Sequence, residues 1–220
     1  MQGMHLSGKS YADLELALFS ENANEVNLLD GNGWTLSFTF RTDSNVDGSD
    51  VVMSMGKYNG TTLLAGIEIR ANKVIYAVQT SQYSLNLTKG DVTTIDIVGQ
   101  RYVGPGDTES SPNHWFIKTY VNGVLSLITS HTQAQMFNTD NSGTYGWYFS
   151  DYMHIGGRVV NGEVSDACSV HVYDFKAYST ALSDNEIIQN YISATIYSQL
   201  GPNDNPDMST QNEMLQNNFI

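Results

Sequence analysis

Residues 34–41 read WTLSFTFR. Trp34, Leu36, Phe38 and Phe40 fall on one side of a period of two, and Thr35, Ser37, Thr39 and Arg41 on the other. That alternation predicts a strand with one apolar face. The same period recurs at 63–70 (LLAGIEIR), 73–79 (KVIYAVQ), 92–98 (VTTIDIV), 115–121 (WFIKTYV), 124–129 (VLSLIT) and 168–176 (CSVHVYDFK). Asn-Gly pairs punctuate these runs at 32–33, 59–60, 122–123 and 161–162, and Asn122-Gly123 sits directly between two of them. A type I′ hairpin needs positive φ at both central positions, which Asn and Gly tolerate best. Ala71-Asn72 makes a similar step between 63–70 and 73–79. Many short strands with close-set turns predict an all-β protein with an antiparallel sandwich or barrel.

One helix interrupts this pattern. Ser183 and Glu186 form a capping box, and Ile187, Ile188, Tyr191 and Ile192 repeat at helical spacing, which predicts one short C-terminal helix over 183–192. The stretch 199–218 holds two of the four prolines and is densely polar, so 193–220 reads as a tail or linker.

The chain has 220 residues, 13 of them Tyr, 8 Phe and 3 Trp, enough aromatic material for a full core. Charged residues are 15%, against about 25% in an average protein. Ten basic and 23 acidic residues give a net charge of −13, and no basic run is present. A phosphate backbone or an anionic bilayer would be repelled, so nucleic acid is excluded as an expected partner. No apolar stretch approaches the roughly 20 residues that span a bilayer, so membrane insertion is not expected. Residues 1–20 lack a basic start followed by an apolar core, so no secretion signal is visible. Export by another route, or excision from a longer chain, is the expectation. The single cysteine, Cys168, excludes an internal disulfide and a cysteine-based zinc cluster; beside Val170 and Val172 it reads as a small buried residue.

The segments TYVNGVLSL (119–127), MHIGGR (153–158) and VYDFKAYSTALSDNEIIQNY (172–191) resemble the closing half of a concanavalin A-like, laminin G-like jelly roll. WTLSFTFRT and GIEIRANKVIYAV (66–78) fit the same order of strands. The resemblance is clearest over 34–192. It implies a two-sheet antiparallel jelly-roll sandwich over 1–192. On function it implies little, because the fold hosts lectins, adhesion domains, glycoside hydrolases and lyases.

Jelly-roll glycanases aim paired carboxylates from one strand into a groove as E-x-D-x-(x)-E. No such triplet occurs here. Asp91 and Asp96 are an odd number of positions apart and face opposite ways, and Glu68 stands alone on its strand. His5, His114, His131, His154 and His171 form no metal-binding helix motif and read as isolated structural residues. No catalytic residue is assigned, and the expectation is a non-enzyme.

Two ligand readings remain. DSNVDG (43–48) matches the first half of a calcium loop, with Asp43, Asn45 and Asp47 as ligands, Gly48 at the turn and Asp50 as a substitute ligand. The bidentate Glu of a full loop is replaced by Ser54. YGWYFSDY (145–152) concentrates aromatics: Tyr145, Trp147 and Tyr148 would offer a stacking platform for a pyranose, with Asp140, Asn141 and Asp151 accepting its hydroxyls. Trp34 and Trp115, inside regular alternation, read as core.

The expected function is therefore a non-catalytic carbohydrate-binding or adhesion module for surface glycans or a cell-surface polysaccharide, carrying calcium at 43–50. The expected location is extracellular, on a virion or on a cell surface, as part of a phage tail fibre or bacterial surface protein. The alternative is a structural virion decoration or fibre domain contacting other virion or surface proteins. A glycoside hydrolase or lyase comes third.

Overall fold

The computed structural model describes residues 4–7, 11–13, 32–78, 81–136 and 153–199. In chain order the strands are β1 (Met4–Leu6), β2 (Ala12–Asp13), β3 (Gly33–Thr42), β4 (Val51–Asn59), β5 (Thr62–Arg70), β6 (Lys73–Val78), β7 (Ser81–Asn86), β8 (Thr93–Tyr102), β9 (His114–Val121) and β10 (Val124–Thr132). A single helical turn, α1 (Gln133–Met136), follows. Then come β11 (His154–Ile155), β12 (Arg158–Val160), β13 (Glu163–Ser165), β14 (Val170–Tyr178) and the helix α2 (Asp184–Gln199).

The strands form two six-stranded antiparallel sheets, ordered β1-β14-β3-β8-β9-β10 and β2-β11-β4-β5-β6-β7, with β12-β13 as a separate hairpin. One core joins the sheets. Trp34, Leu36, Phe38, Ile95, Ile97, Trp115 and Ile117 from the first pack with Met53, Met55, Ile67, Ile69, Val74 and Tyr76 from the second. The protein is an all-β antiparallel sandwich. Trp34, Trp115 and Cys168 are fully buried, and burial pushes the Cys168 thiol up to about 12.

Turn chemistry acts where the Asn-Gly pairs promised. Asn122 and Gly123 take φ of 52° and 76° between β9 and β10, and Asn161 and Gly162 take 53° and 81° between β12 and β13. Both are the left-handed pairs of a type I′ turn. Asn32-Gly33 is different: Gly33 opens β3 and turns nothing.

Two findings depart from the periodicity. The polar side of β3 is not a solvent face, because Thr35, Ser37 and Thr39 are buried. Thr35 Oγ1 donates to Thr180 O and accepts from Leu182 N, and the Thr39 and Thr94 hydroxyls bond at 3.0 Å. Hydroxyls suit this layer since each can satisfy itself against backbone or a neighbour. Helix α2 also runs to Gln199, past the weakening of its pattern at 193. It starts on the predicted capping box: Ser183 N donates to Glu186 Oε2 at 2.8 Å and Glu186 N to Ser183 Oγ at 3.4 Å. Ile187 then packs on Val98 and Tyr120, on the outer face of the first sheet.

Candidate functional site

Over 53–56 of β4 and 65–70 of β5 the side chains alternate, with register breaks on either side in β4. Met53, Met55, Ile67 and Ile69 enter the core, so Ser54, Gly56, Gly66, Glu68 and Arg70 turn to the outer face of the second sheet. Gly56 and Gly66 are direct cross-strand partners. Gly66 has φ of +122°, and a Cβ there would stand 2.3 Å from Met55 O; a Cβ on Gly56 would stand 2.4 Å from Ala65 O. The two strands approach closely at this pair, and Leu63 Cδ1 packs beside Gly56, 2.7 Å from where a Cβ would stand.

Beside it sits a buried charge cluster. Glu68 is wholly inaccessible to solvent. Its Oε1 accepts from Arg70 Nε, and its Oε2 accepts from the Tyr58 hydroxyl at 2.8 Å and lies 3.1 Å from Arg158 Nε. Arg158, almost as buried, comes from β12. It donates through Nη1 to Thr61 O at 2.7 Å, pairs through Nη2 with Asp166 Oδ2 at 3.1 Å, and lies 5.1 Å from the centre of the Tyr58 ring. Two carboxylates and two guanidinium groups balance in charge, the condition under which buried ions are tolerated. Burial, reinforced by the Glu68 carboxylate, drives the Tyr58 phenol well above its ordinary range and keeps it a proton donor. Arg158 thus fastens the β12–β13 hairpin over the sheet.

The hairpin and sheet enclose a cleft of about 310 Å³, lined by Gly56, Tyr58, His154 and residues 159–162. That is the low end of small-ligand sites, room for one or two sugar rings. A wider hollow of about 580 Å³ lies between Gln100, Lys118 and residues 181–186, but it holds no comparable buried cluster.

The carboxylates tested for catalysis do not converge. Glu68 faces out from the second sheet and Asp96, between core residues Ile95 and Ile97, faces out from the first. Asp96 is fully buried, and burial lifts it to about 6 against the Ser37 hydroxyl and the Lys176 ammonium. Its folded pKa stands above that of the unfolded chain. The contribution of the protonated form is therefore complete below about pH 4 and is lost as pH rises through about 6. Asp96→Asn, neutral throughout, gains on the wild type by up to about 3 kcal/mol over that window. Urea unfolding of both proteins at pH 4 and pH 7.5 checks this; a constant difference refutes it.

The aromatic platform Tyr145, Trp147 and Tyr148, with Asp140, Asn141 and Asp151, lies outside the described residues. In the 43–50 loop, Asp47 Oδ1 accepts from Ser49 N and Oγ at 2.8 and 2.7 Å, and Asp50 Oδ2 accepts from Asp47 N at 2.9 Å. These bonds to Ser49 hold the Asp47 carboxyl below its usual range. Asp43 turns elsewhere, toward His5 and His171. The histidines are thus not all isolated. The Tyr58–Glu68–Arg158 cluster was missed because its members lie on three separate strands, although the lone charges in GIEIR were a signal.

No family model matches the chain, and no curated protein matches it. Solved structures share the fold. The CBM40 of Ruminococcus gnavus IT-sialidase, solved bound to alpha2,3 sialyllactose, is 17% identical with a TM-score of 0.54, covering 87% of this chain and 97% of that one. The binding domain of botulinum neurotoxin DC, solved in complex with rat synaptotagmin II, is 14% identical with a TM-score of 0.49, covering 80% of this chain. This chain spans 39% of that domain's length, and 38% of another receptor binding domain it matches. What is shared is the fold: an antiparallel, jelly-roll-like β-sandwich, as in that CBM40.

Proposed function

We propose that this protein is a non-catalytic glycan-binding module of the concanavalin A-like, laminin G-like kind, displayed at a virion or cell surface. Its sugar site is the cleft between β4 and the β12–β13 hairpin. The observation that carries the reading is the buried Tyr58–Glu68–Arg158 cluster, which rigidly fixes a small, polar, open cleft on an outer sheet face. Polar groups of Tyr58, His154 and Asn161 beside Val159 and Val160 suit a ligand with hydroxyls on one side and an apolar ring face on the other. Both Glu68 oxygens are engaged by Tyr58, Arg70 and Arg158, which favours holding a ligand over proton transfer. The fold relative solved with sialyllactose makes that sugar the natural probe.

The experiment is calorimetric titration with alpha2,3 sialyllactose and with lactose. The wild type binds the sialylated sugar more tightly, and Val160→Trp, which fills the cleft from its rim, weakens that binding at least tenfold without moving Tm. Unchanged binding in the variant, or none in the wild type, overturns the assignment. A structural interaction domain is the competing reading, favoured by one feature: Val124, Leu125 and Ile128 are exposed on β10, the edge strand of the first sheet among the described residues. Calcium on the 43–50 loop stays part of the proposal, tested below as a competing ion.

A further inference from the structure

We propose that His5, Asp43 and His171 form a binding site for a late first-row divalent transition metal, with zinc as the ion that suits them. The site lies on the opposite sheet from the sugar cleft and is independent of the glycan reading.

Register builds it. His5 on β1 is the direct cross-strand partner of His171 on β14, and β14 in turn pairs with β3. Val170 and Val172 enter the core, so His171 points to the outer face, and His5 follows it. The two imidazoles stack with centroids 4.0 Å apart and planes 17° from parallel. Asp43 is the first residue after β3, and its N–H donates to Ser169 O at 3.2 Å, which anchors it beside β14. Its two oxygens then divide between the rings: Oδ1 lies 3.4 Å from His171 Nε2 and Oδ2 lies 3.8 Å from His5 Nε2. All three donor groups fall within 4.8 Å of one another. Among the described residues this is the one cluster of three such side chains.

The distances favour a shared ion over a direct contact. A charge-assisted N–H to carboxylate bond is about 2.7–2.9 Å, and both separations exceed it. Ligands on a tetrahedral zinc with bonds near 2.0–2.1 Å stand about 3.3 Å apart, close to the His171–Asp43 spacing. Two imidazole nitrogens and one carboxylate oxygen suit zinc, nickel, copper or cobalt, whereas calcium and magnesium prefer all-oxygen shells. Arg41, cross-strand from His171, opposes a cation there, and the Asp43 carboxylate offsets it. Each side chain is roughly a third exposed, so an ion enters from solvent and keeps water in its remaining position. The three ligands come from β1, the β3 end and β14. A bound ion therefore fastens the three-residue β1, whose one strand partner among the described residues is β14, to the sheet.

The test uses the full chain stripped with chelator, then titrated with zinc chloride by calorimetry and with cobalt by visible absorption, which reports coordination geometry. One zinc per chain is expected, with a Tm rise of a few degrees at a hundred times Kd. His171→Ala and His5→Gln each lower affinity by about tenfold or more and remove the cobalt spectrum. Melting in chelator shows that these partly exposed substitutions leave the fold intact. Asp47→Ala and His114→Ala leave zinc binding unchanged. Magnesium, through relief of the −13 charge, and calcium, through that and the 43–50 loop, each raise Tm as much in the histidine variants as in the wild type. The proposal falls if the histidine variants bind zinc as the wild type does or if no stoichiometric binding occurs. It also falls if Asp47→Ala abolishes binding, which would put the ion in the 43–50 loop.

Discussion

Glu68→Ala is expected to lower the unfolding free energy by about 3–5 kcal/mol, the penalty for leaving a buried charge without its partner. The substitution strands Arg158, almost wholly buried, with its Nε facing an empty site, and takes the acceptors from Tyr58 and Arg70. For a domain of this length that is a drop in Tm of about 10 °C. The double variant Glu68→Leu/Arg158→Met separates loss of a charge from loss of packing. Removing both charges together is commonly near neutral, so it should recover most of the stability while Glu68→Ala and Arg158→Ala each lose it. It should not recover sugar binding, because the Arg158 bonds to Thr61 O and Asp166 that hold the β12–β13 hairpin at the cleft are then gone. Equal stability of wild type and Glu68→Ala in urea would show that the cluster is solvated and that the cleft is not rigidly held.

Gly66→Ala is the second large effect, expected at about 3 kcal/mol or more. Two costs combine: a backbone at φ +122°, which L side chains rarely adopt, and a methyl 2.3 Å from Met55 O and 2.6 Å from Gly56 Cα. Neither neighbour is a flexible side-chain end, so β4 and β5 must part to admit it. Gly60→Ala is the internal control. Its φ is +59° but nothing lies within 4 Å, so it carries the backbone penalty alone and should cost about 1 kcal/mol. Chemical unfolding of the two variants side by side measures the difference, and similar losses would refute the close approach of the two glycines.

Both predictions concern the floor of one cleft, and only part of it is written locally. The alternation of GIEIR places Glu68 and Arg70 on the face opposite Ile67 and Ile69, as found. Periodicity cannot say that the polar face is covered. Ten positions of β3 alternate in the sequence, yet eight consecutive ones are buried, because residues 180–182 bond to Thr35 and α2 packs on the same sheet face. Asp96 is the same case: its place on β8 was plain, its burial was not. The calcium reading of 43–50 rests on spacing that Asp, Asn and Gly also adopt as turn formers, and spacing could not say that Asp43 would face two histidines.

The sequence by itself determined the strands at 34–41, 63–70, 73–79, 92–98, 115–121, 124–129 and 168–176, the Asn-Gly turns, the capping box of α2 and the burial of Trp34 and Trp115. All of these follow from interactions within a few residues: φ preferences, period-two burial and side-chain to backbone bonds. Tertiary structure alone decided which charges meet. Tyr58, Glu68 and Arg158 span 100 residues, and His5, Asp43 and His171 span 166. Their pairing follows from strand order across a sheet, a long-range hydrophobic and hydrogen-bonding outcome that leaves no periodic trace in any single segment.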